Sequence, residues 1–186
     1  MSDKFKNKYK INSTRLKNYN YSQHGIYFIT ICVKNRKNYF GEIANGKMTL
    51  SEIGKIADQF WQEIPKHFPS VKLDKYQIMP DHLHGIIEIL YKQINGSETH
   101  HCYVSKSNTF HQLKSGSLPV IIRSFKSVVA KTARKQFPKV EFNWQPRFYD
   151  RIIRNEIELN KIREYIQINP KMWGQDIDDT GNIFIP

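Results

Sequence analysis

The sequence predicts one α+β domain, a ferredoxin-like antiparallel sheet with helices packed on one face. Three observations support this prediction. Apolar, β-branched stretches alternate with amphipathic ones in the order strand, hairpin, helix, strand, strand, helix, strand, helix. A length of 186 residues with 39% hydrophobic residues suits a single domain with an apolar core. Two Cys residues are too few for a disulfide framework and suit a reducing cytoplasm.

The first half of the chain contains a strand, a hairpin and a helix. Residues 25–33 are apolar on both faces, which predicts a buried strand. Asn45 and Gly46 form a two-residue turn signal, so residues 39–50 should fold as a hairpin. Ser51 is a typical N-cap, and the apolar residues after it recur at helical spacing until two prolines end the pattern.

The pattern in the second half predicts two strands, at residues 71–79 and 82–90, joined by a very short turn. A helix at 118–137 and a further strand at 143–153 should follow. The polar residues 92–117 separate the first pair from the helix as a long loop. Asn155 should cap a last helix that runs to about Ile168, and Pro170 should end it.

The formal charge of +12 is unevenly distributed along the chain. Residues 1–20 carry a net charge of +5 and residues 106–171 carry +9, whereas the region between them is nearly neutral. Segregated positive charge favours a nucleic-acid partner, although solubility alone is the alternative. We therefore divide the chain into a basic arm at 1–20, one domain at 21–174 and an acidic tail at 175–186.

Other partners are disfavoured by simple features of the sequence. No run of about 18 apolar residues is present, so we expect no membrane span. The N-terminus is basic but lacks the apolar segment of a secretion signal. We expect a cytoplasmic protein.

His82 and His84 flank Leu83 in a predicted strand. Side chains at positions i and i+2 of a strand point to the same face, so both imidazoles should project together, close enough to hold one divalent ion. Asp81 should point to the opposite face and serve first as a turn residue and second as a group that supports the histidine ligands. Spacing alone leaves open an ordinary pair of exposed histidines.

Tyr165 and Asn169 lie four residues apart in the last predicted helix and therefore share one face. An ordinary half-buried tyrosine is the alternative interpretation. Because Pro170 disfavours helical geometry at the residue before it, Asn169 should lie at a frayed helix end with its amide available to a ligand.

Together these features resemble a known family. Residues 79–87, Met-Pro-Asp-His-Leu-His-Gly-Ile-Ile, resemble the signature of the HUH-type tyrosine transposases that act on single-stranded DNA. Residues 144–156 and 165–170 resemble the branch associated with repetitive extragenic palindromes (REP), and residues 27–30 and 40–42 also fit it. The resemblance covers about residues 21–174 in the same order.

The resemblance implies an HUH-type nuclease architecture and an enzyme that cleaves and rejoins single-stranded DNA at hairpin or palindromic ends. It implies that Tyr165 is the nucleophile and forms a 5′-phosphotyrosine intermediate. It also implies that His82, His84 and Asn169 bind Mg²⁺ or Mn²⁺. The protein would act at the nucleoid of a prokaryotic cell, as a monomer or a homodimer. A non-catalytic DNA-binding protein and a metal nuclease that uses water are the alternatives.

Several further residues are candidates for contact with DNA. Tyr149 is an alternative nucleophile, but it lies in an aromatic strand that favours packing or base stacking. The other candidates are basic residues that could follow a DNA backbone and neighbours that could stack on unpaired bases: Arg123, Lys126, Lys131, Arg134, Trp144, Arg147 and Phe148. For these residues a solvated helix face and core packing remain open.

Overall fold

The computed structural model describes residues 19–90 and 116–174, together with the backbone of Lys4–Phe5 and Lys8–Tyr9. These two short segments form the antiparallel strands β1 and β2 within the predicted basic arm. The rest of that arm up to residue 18, residues 91–115, which include most of the predicted long loop, and the acidic tail lie outside the described residues.

One antiparallel sheet organises the domain. In chain order, the elements after β2 are β3 (Gly25–Cys32), β4 (Gly41–Ala44), β5 (Lys47–Leu50), α1 (Glu52–Gln62), α2 (Ile64–His67), β6 (Val71–Ile78), β7 (His82–Ile89), α3 (Leu118–Gln136), β8 (Tyr149–Ile153) and α4 (Glu156–Met172). The sheet has the strand order β6-β7-β3-β8, and β4 and β5 pair as a separate hairpin. The predicted α+β class and the predicted order of elements are confirmed.

Local sequence signals explain where several elements begin or turn. The Ser51 hydroxyl accepts a hydrogen bond from the Gly54 amide at 3.0 Å, which caps α1. The Asn155 side chain accepts one from the Glu158 amide at 2.8 Å and caps α4 in the same way. Asn45 and Gly46 have φ angles of +52° and +69°, the left-handed conformation that a tight hairpin turn requires.

The strand predicted at residues 143–153 is shorter than expected. Only Tyr149–Ile153 pairs with β3, and the preceding segment makes a single isolated bridge between Trp144 and Val33. Arg147 has a φ angle of +67°, so the backbone turns sharply just before β8. This turn prevents one continuous strand.

Pro170 does not end the last helix, contrary to the prediction. Helix α4 continues to Met172, with Pro170 buried inside it. Because the proline lies in the last turn, it removes one backbone hydrogen bond near the end rather than interrupting a long helix. Asn169 therefore keeps helical geometry one turn after Tyr165.

The helices cover both faces of the sheet, which corrects the expectation of one face. Alternate residues of β3 and β7, such as Ile29 and Leu83, belong to a large apolar cluster with α1 and α3. The intervening residues, such as Phe28 and Ile86, join a smaller cluster with α4. Gly85 allows the close approach of α1, because an added Cβ would lie 2.3 Å from Trp61 Cζ2.

Candidate active site

The two histidines of β7 face α4, on the opposite side of the sheet from the large core. Leu83 between them is fully buried in that core. His82 and His84 are only 5% and 2% exposed, so neither is an ordinary surface histidine. Among the described residues, five polar or charged residues are buried, and four of them meet here: Thr30, Asp81, His82 and His84.

Both imidazoles are oriented through their Nδ1 atoms. Asp81 Oδ1 lies 2.5 Å from His82 Nδ1, and Thr30 Oγ1 lies 2.9 Å from His84 Nδ1. Because a carboxylate can only accept, His82 carries its proton on Nδ1, which leaves Nε2 as a lone-pair donor. Asp81 thus points toward the histidines, which corrects its predicted orientation. Residue 81 precedes β7, so strand alternation does not govern it.

The Nε2 atoms of His82 and His84 face each other at 2.9 Å. Because the Thr30 hydroxyl can donate or accept, His84 Nε2 either donates a hydrogen bond to His82 Nε2 or presents a second lone pair, and in the second tautomer a cation between the two nitrogens would accept both lone pairs. Two neighbouring ligands about 2.1 Å from an octahedrally coordinated ion would be about 3 Å apart, which is close to this spacing. The residues present therefore fit a divalent ion.

Tyr165 and Asn169 reach the same point from α4. The Tyr165 hydroxyl lies 3.4 Å from His84 Nε2, and its ring meets the His84 ring edge-on at 5.3 Å. The Asn169 side chain hydrogen-bonds the Tyr165 hydroxyl. The structure thus brings together all four residues that the sequence predicted for the reaction centre. The described residues contain no cluster of three or more His, Cys, Asp or Glu side chains suited to a metal.

Burial controls the protonation of the site. Desolvation lowers the pKa of His82, and it lowers that of His84 well below the usual value. Both imidazoles are therefore neutral at neutral pH, which is the state that binds metal. Desolvation also raises the pKa of Tyr165, partly opposed by the Asn169 hydrogen bond and the positive charge of Arg36. Its hydroxyl keeps its proton at neutral pH.

The alternative nucleophile, Tyr149, lies on the same face but farther away. It pairs with Thr30 across the β8–β3 ladder, and Thr30 pairs in turn with His84. Two strand spacings, about 10 Å, therefore separate Tyr149 from His84 along the sheet. Its side chain is 47% exposed. Of the two tyrosines, Tyr165 is therefore the nearer to the histidine pair.

The predicted DNA-contacting residues lie on the opposite face, around α3. A groove of about 570 Å³ runs along this helix, with Ile122 and Ala130 among its apolar lining. Six of the seven predicted residues line it: Arg123, Lys126, Lys131, Arg134, Arg147 and Phe148. The groove meets the edge strand β8 just after Phe148, and β8 carries Tyr149 on the other face.

Two of the predicted DNA contacts have structural roles. The Lys126 ammonium donates to the carbonyl oxygens of Gln145 and Arg147 at 2.7 and 2.8 Å, and burial lowers its pKa to about 8. Trp144 packs against Phe40, Phe125 and other core rings, and its indole N–H donates to the Lys126 carbonyl. Both residues hold the segment before β8 against α3.

Sequence reasoning overlooked Thr30 and misjudged Asp81. Thr30 is the polar residue in the middle of an otherwise apolar strand, and that exception was a usable signal. Asp81 adjoins the histidine pair in sequence, but its direction depends on the turn before β7. Arg36 was also missed, because nothing in its local sequence places it beside residues 45 or more positions away.

Comparisons with known proteins agree with this architecture. The chain shares its fold with the solved structure of a REP-associated tyrosine transposase bound to a REP hairpin, which matches with a TM-score of 0.57 and 18% identity, over 88% of this chain and 75% of that one. A Haemophilus influenzae protein described as "Uncharacterized protein" is 43% identical over 173 residues, which cover 88% of this chain and 90% of that protein. The chain belongs to the same family as that Haemophilus protein. No family model matches the chain.

The sequence predicted no membrane-spanning segment. In the part of the chain that is described, no helix combines the length and apolar character needed to cross a bilayer.

Proposed function

We propose that this protein is a tyrosine transposase that cleaves and rejoins single-stranded DNA at hairpin or palindromic ends. The observation that carries the proposal is the position of Tyr165, whose hydroxyl lies 3.4 Å from the Nε2 atom of a buried, oriented histidine pair. The fold it shares with a transposase bound to a REP hairpin supports the class of substrate.

The reaction begins with Tyr165 as the nucleophile. Its oxygen forms a bond to a DNA phosphorus, the bond from that phosphorus to the 3′-oxygen breaks, and the phenol proton ends on the released 3′-hydroxyl. The product is a 5′-phosphotyrosine linkage. Attack by another 3′-hydroxyl reverses these steps and joins strands, so no external energy source is needed.

His82, His84 and Asn169 would hold a divalent ion such as Mg²⁺ or Mn²⁺, with Thr30 and Asp81 fixing the imidazoles. The ion would supply Lewis-acid stabilisation of charge on the phosphate. Imidazole ligands favour Mn²⁺ at least as well as Mg²⁺. The Asn169 amide also hydrogen-bonds the Tyr165 hydroxyl, so it positions the nucleophile.

DNA binding is assigned to the α3 groove. Arg123 and Lys131 are exposed on it and can neutralise backbone phosphates. Phe148 at its end offers a stacking surface for an unpaired base. A strand held in this groove reaches Tyr165 by passing around the edge strand β8.

The test is covalent capture. The protein is incubated with Mn²⁺ and a labelled hairpin-tailed single strand and then separated under denaturing conditions. We expect a protein–DNA adduct that disappears in Tyr165→Phe and persists in the matched control Tyr149→Phe. An adduct lost only in Tyr149→Phe would overturn the nucleophile assignment. Cleavage without an adduct would instead indicate a water-using nuclease, and binding without cleavage would indicate a non-catalytic DNA-binding protein.

Salt dependence tests the groove separately. If about six phosphates are neutralised, the log–log slope of affinity against salt should be about −4 on single-stranded DNA. Lys131→Met should reduce the magnitude of that slope by about 0.7, the share of one phosphate contact on a single strand. A slope near zero in the unmodified protein would place the positive charge outside the interface.

A further inference from the structure

A strained turn places Arg36 at the edge of the site. Asn35 and Arg36 have φ angles of +59° and +51°, which residues other than glycine adopt at a cost. The turn is held by hydrogen bonds from the Lys34 amide to the Asn143 carbonyl at 2.9 Å and from the Arg36 amide to the Val33 carbonyl at 3.3 Å. The surrounding structure therefore imposes this conformation.

The Arg36 guanidinium is anchored by two buried groups. Its Nε lies 2.8 Å from Asp81 Oδ2, and its Nη1 donates to Cys32 Sγ at 3.0 Å. The other Asp81 oxygen contacts His82 Nδ1. Arg36 is thus connected to the histidine pair through one carboxylate, and its orientation is fixed before any ligand arrives.

The anchored side chain is still open to solvent. Its exposed fraction is 54%, against 5% for the Asp81 side chain that it contacts. Asp81 links it directly to His82, and the Tyr165 hydroxyl lies 3.4 Å from His84 Nε2 in the same histidine pair. The exposed basic residues of the α3 groove, Arg123 and Lys131, lie on the helix that packs on the opposite face of the sheet and do not take this position.

We propose that Arg36 binds the phosphate that Tyr165 attacks, an inference that rests on the proposed function. A guanidinium presents several N–H donors in a planar fork that matches phosphate oxygens. Here Asp81 and Cys32 orient that fork in advance. As the bond from Tyr165 to phosphorus forms and the bond to the 3′-oxygen breaks, Arg36 stabilises negative charge on the non-bridging oxygens.

The first experiment measures the single-turnover rate of adduct formation at saturating DNA. Arg36→Gln should lower this rate by about 100-fold, the usual effect of removing one pre-organised donor. DNA affinity should change little, because the groove supplies it. Lys37→Gln, which removes the neighbouring exposed cation, is the matched control and should retain the rate of the unmodified protein. Thermal unfolding of each variant verifies folding.

A second experiment separates direct contact from an effect through Asp81. A methylphosphonate at the cleavage position replaces one charged non-bridging oxygen with a methyl group. If Arg36 contacts that phosphate, the methylphosphonate and Arg36→Gln each slow the reaction, and combining them adds little further loss. Arg36→Lys keeps the ion pair with Asp81 and should show the same pattern with a smaller loss.

The outcomes distinguish this inference from the proposed function. If the unmodified protein forms no adduct, the proposed function itself fails. If it forms the adduct and Arg36→Gln reacts equally fast, only the role of Arg36 is overturned. If the loss from Arg36→Gln is as large on the methylphosphonate substrate as on the unmodified substrate, direct contact is also overturned. Arg36 would then act on some group other than the attacked phosphate.

Discussion

The two faces of the central sheet differ in what they bury. The face toward α1 and α3 covers a large apolar core that includes Trp61 and Phe125. The face toward α4 has a small apolar cluster, and beside it lie buried polar side chains such as His82 and His84. Burying polar groups costs free energy, whereas burying apolar area stabilises the fold. One face thus provides the stability that allows the other to hold the buried polar side chains of the candidate site.

The largest expected effect lies on the apolar face. Trp61→Ala should lower the free energy of unfolding by about 3–5 kcal/mol, because it empties a fully buried site against the sheet. Chemical denaturation measures this loss. Ile157→Ala, at an exposed position of α4, is the control and should stay within about 0.5 kcal/mol. A loss below about 1 kcal/mol for Trp61→Ala would contradict the conclusion that the face toward α1 and α3 stabilises the fold.

The polar face should gain stability from metal. At a Mn²⁺ concentration about 100 times its dissociation constant, the free energy of unfolding should rise by about 2.7 kcal/mol. Thermal unfolding with and without a chelator measures this gain. His84→Ala should abolish it, while His67→Ala, which changes an exposed histidine of α2, should retain it. Stabilisation that survives in His84→Ala would place the ion elsewhere.

Lys126 and Lys131 sharpen the comparison within α3. Lys126→Met should lower the free energy of unfolding by about 1–3 kcal/mol, because it removes the donor to two backbone carbonyls. Lys131→Met, at an exposed position on the same helix, should change it by less than about 0.5 kcal/mol. Paired denaturation curves measure both. Equal losses would contradict the structural role assigned to Lys126.

The smallest expected effect concerns the attachment of α4 to the sheet edge. Hydrogen bonds from Arg163, the shortest at 2.6 Å, lower the pKa of Asp74 on β6. A lowered carboxyl pKa means that the stabilisation is complete above the unfolded value of about 3.9 and is lost as the pH falls through the folded value. The pair is partly exposed, so its contribution is about 1 kcal/mol or less.

Arg163→Met should therefore reduce stability above about pH 4 and flatten the acid limb of the stability curve. Denaturation measured between about pH 5 and about pH 2 tests this. Lys55→Met, which removes an exposed ion pair with Glu52 on α1, should leave the acid limb unchanged. An unchanged acid limb in Arg163→Met would show that Asp74 does not contribute.

Much of this fold follows from local patterns. Alternation in β7 predicted that His82 and His84 share a face, and helical spacing predicted the same for Tyr165 and Asn169. Both predictions depend only on backbone period, which neighbouring residues set. The helix limit at Pro170 was wrong because a proline in the last turn costs little, and the long strand before Ile153 was wrong because Arg147 turns the backbone.

The sequence by itself determined the order of elements, the two pairs of candidate reactive residues and the segregation of positive charge. Only the tertiary structure decided which face α4 covers, and therefore that both pairs meet at one point. It also decided that Asp81 turns toward the histidines, that Lys126 supports a loop and that Arg36 reaches the site. These outcomes depend on contacts between residues far apart in the chain, which no local period encodes.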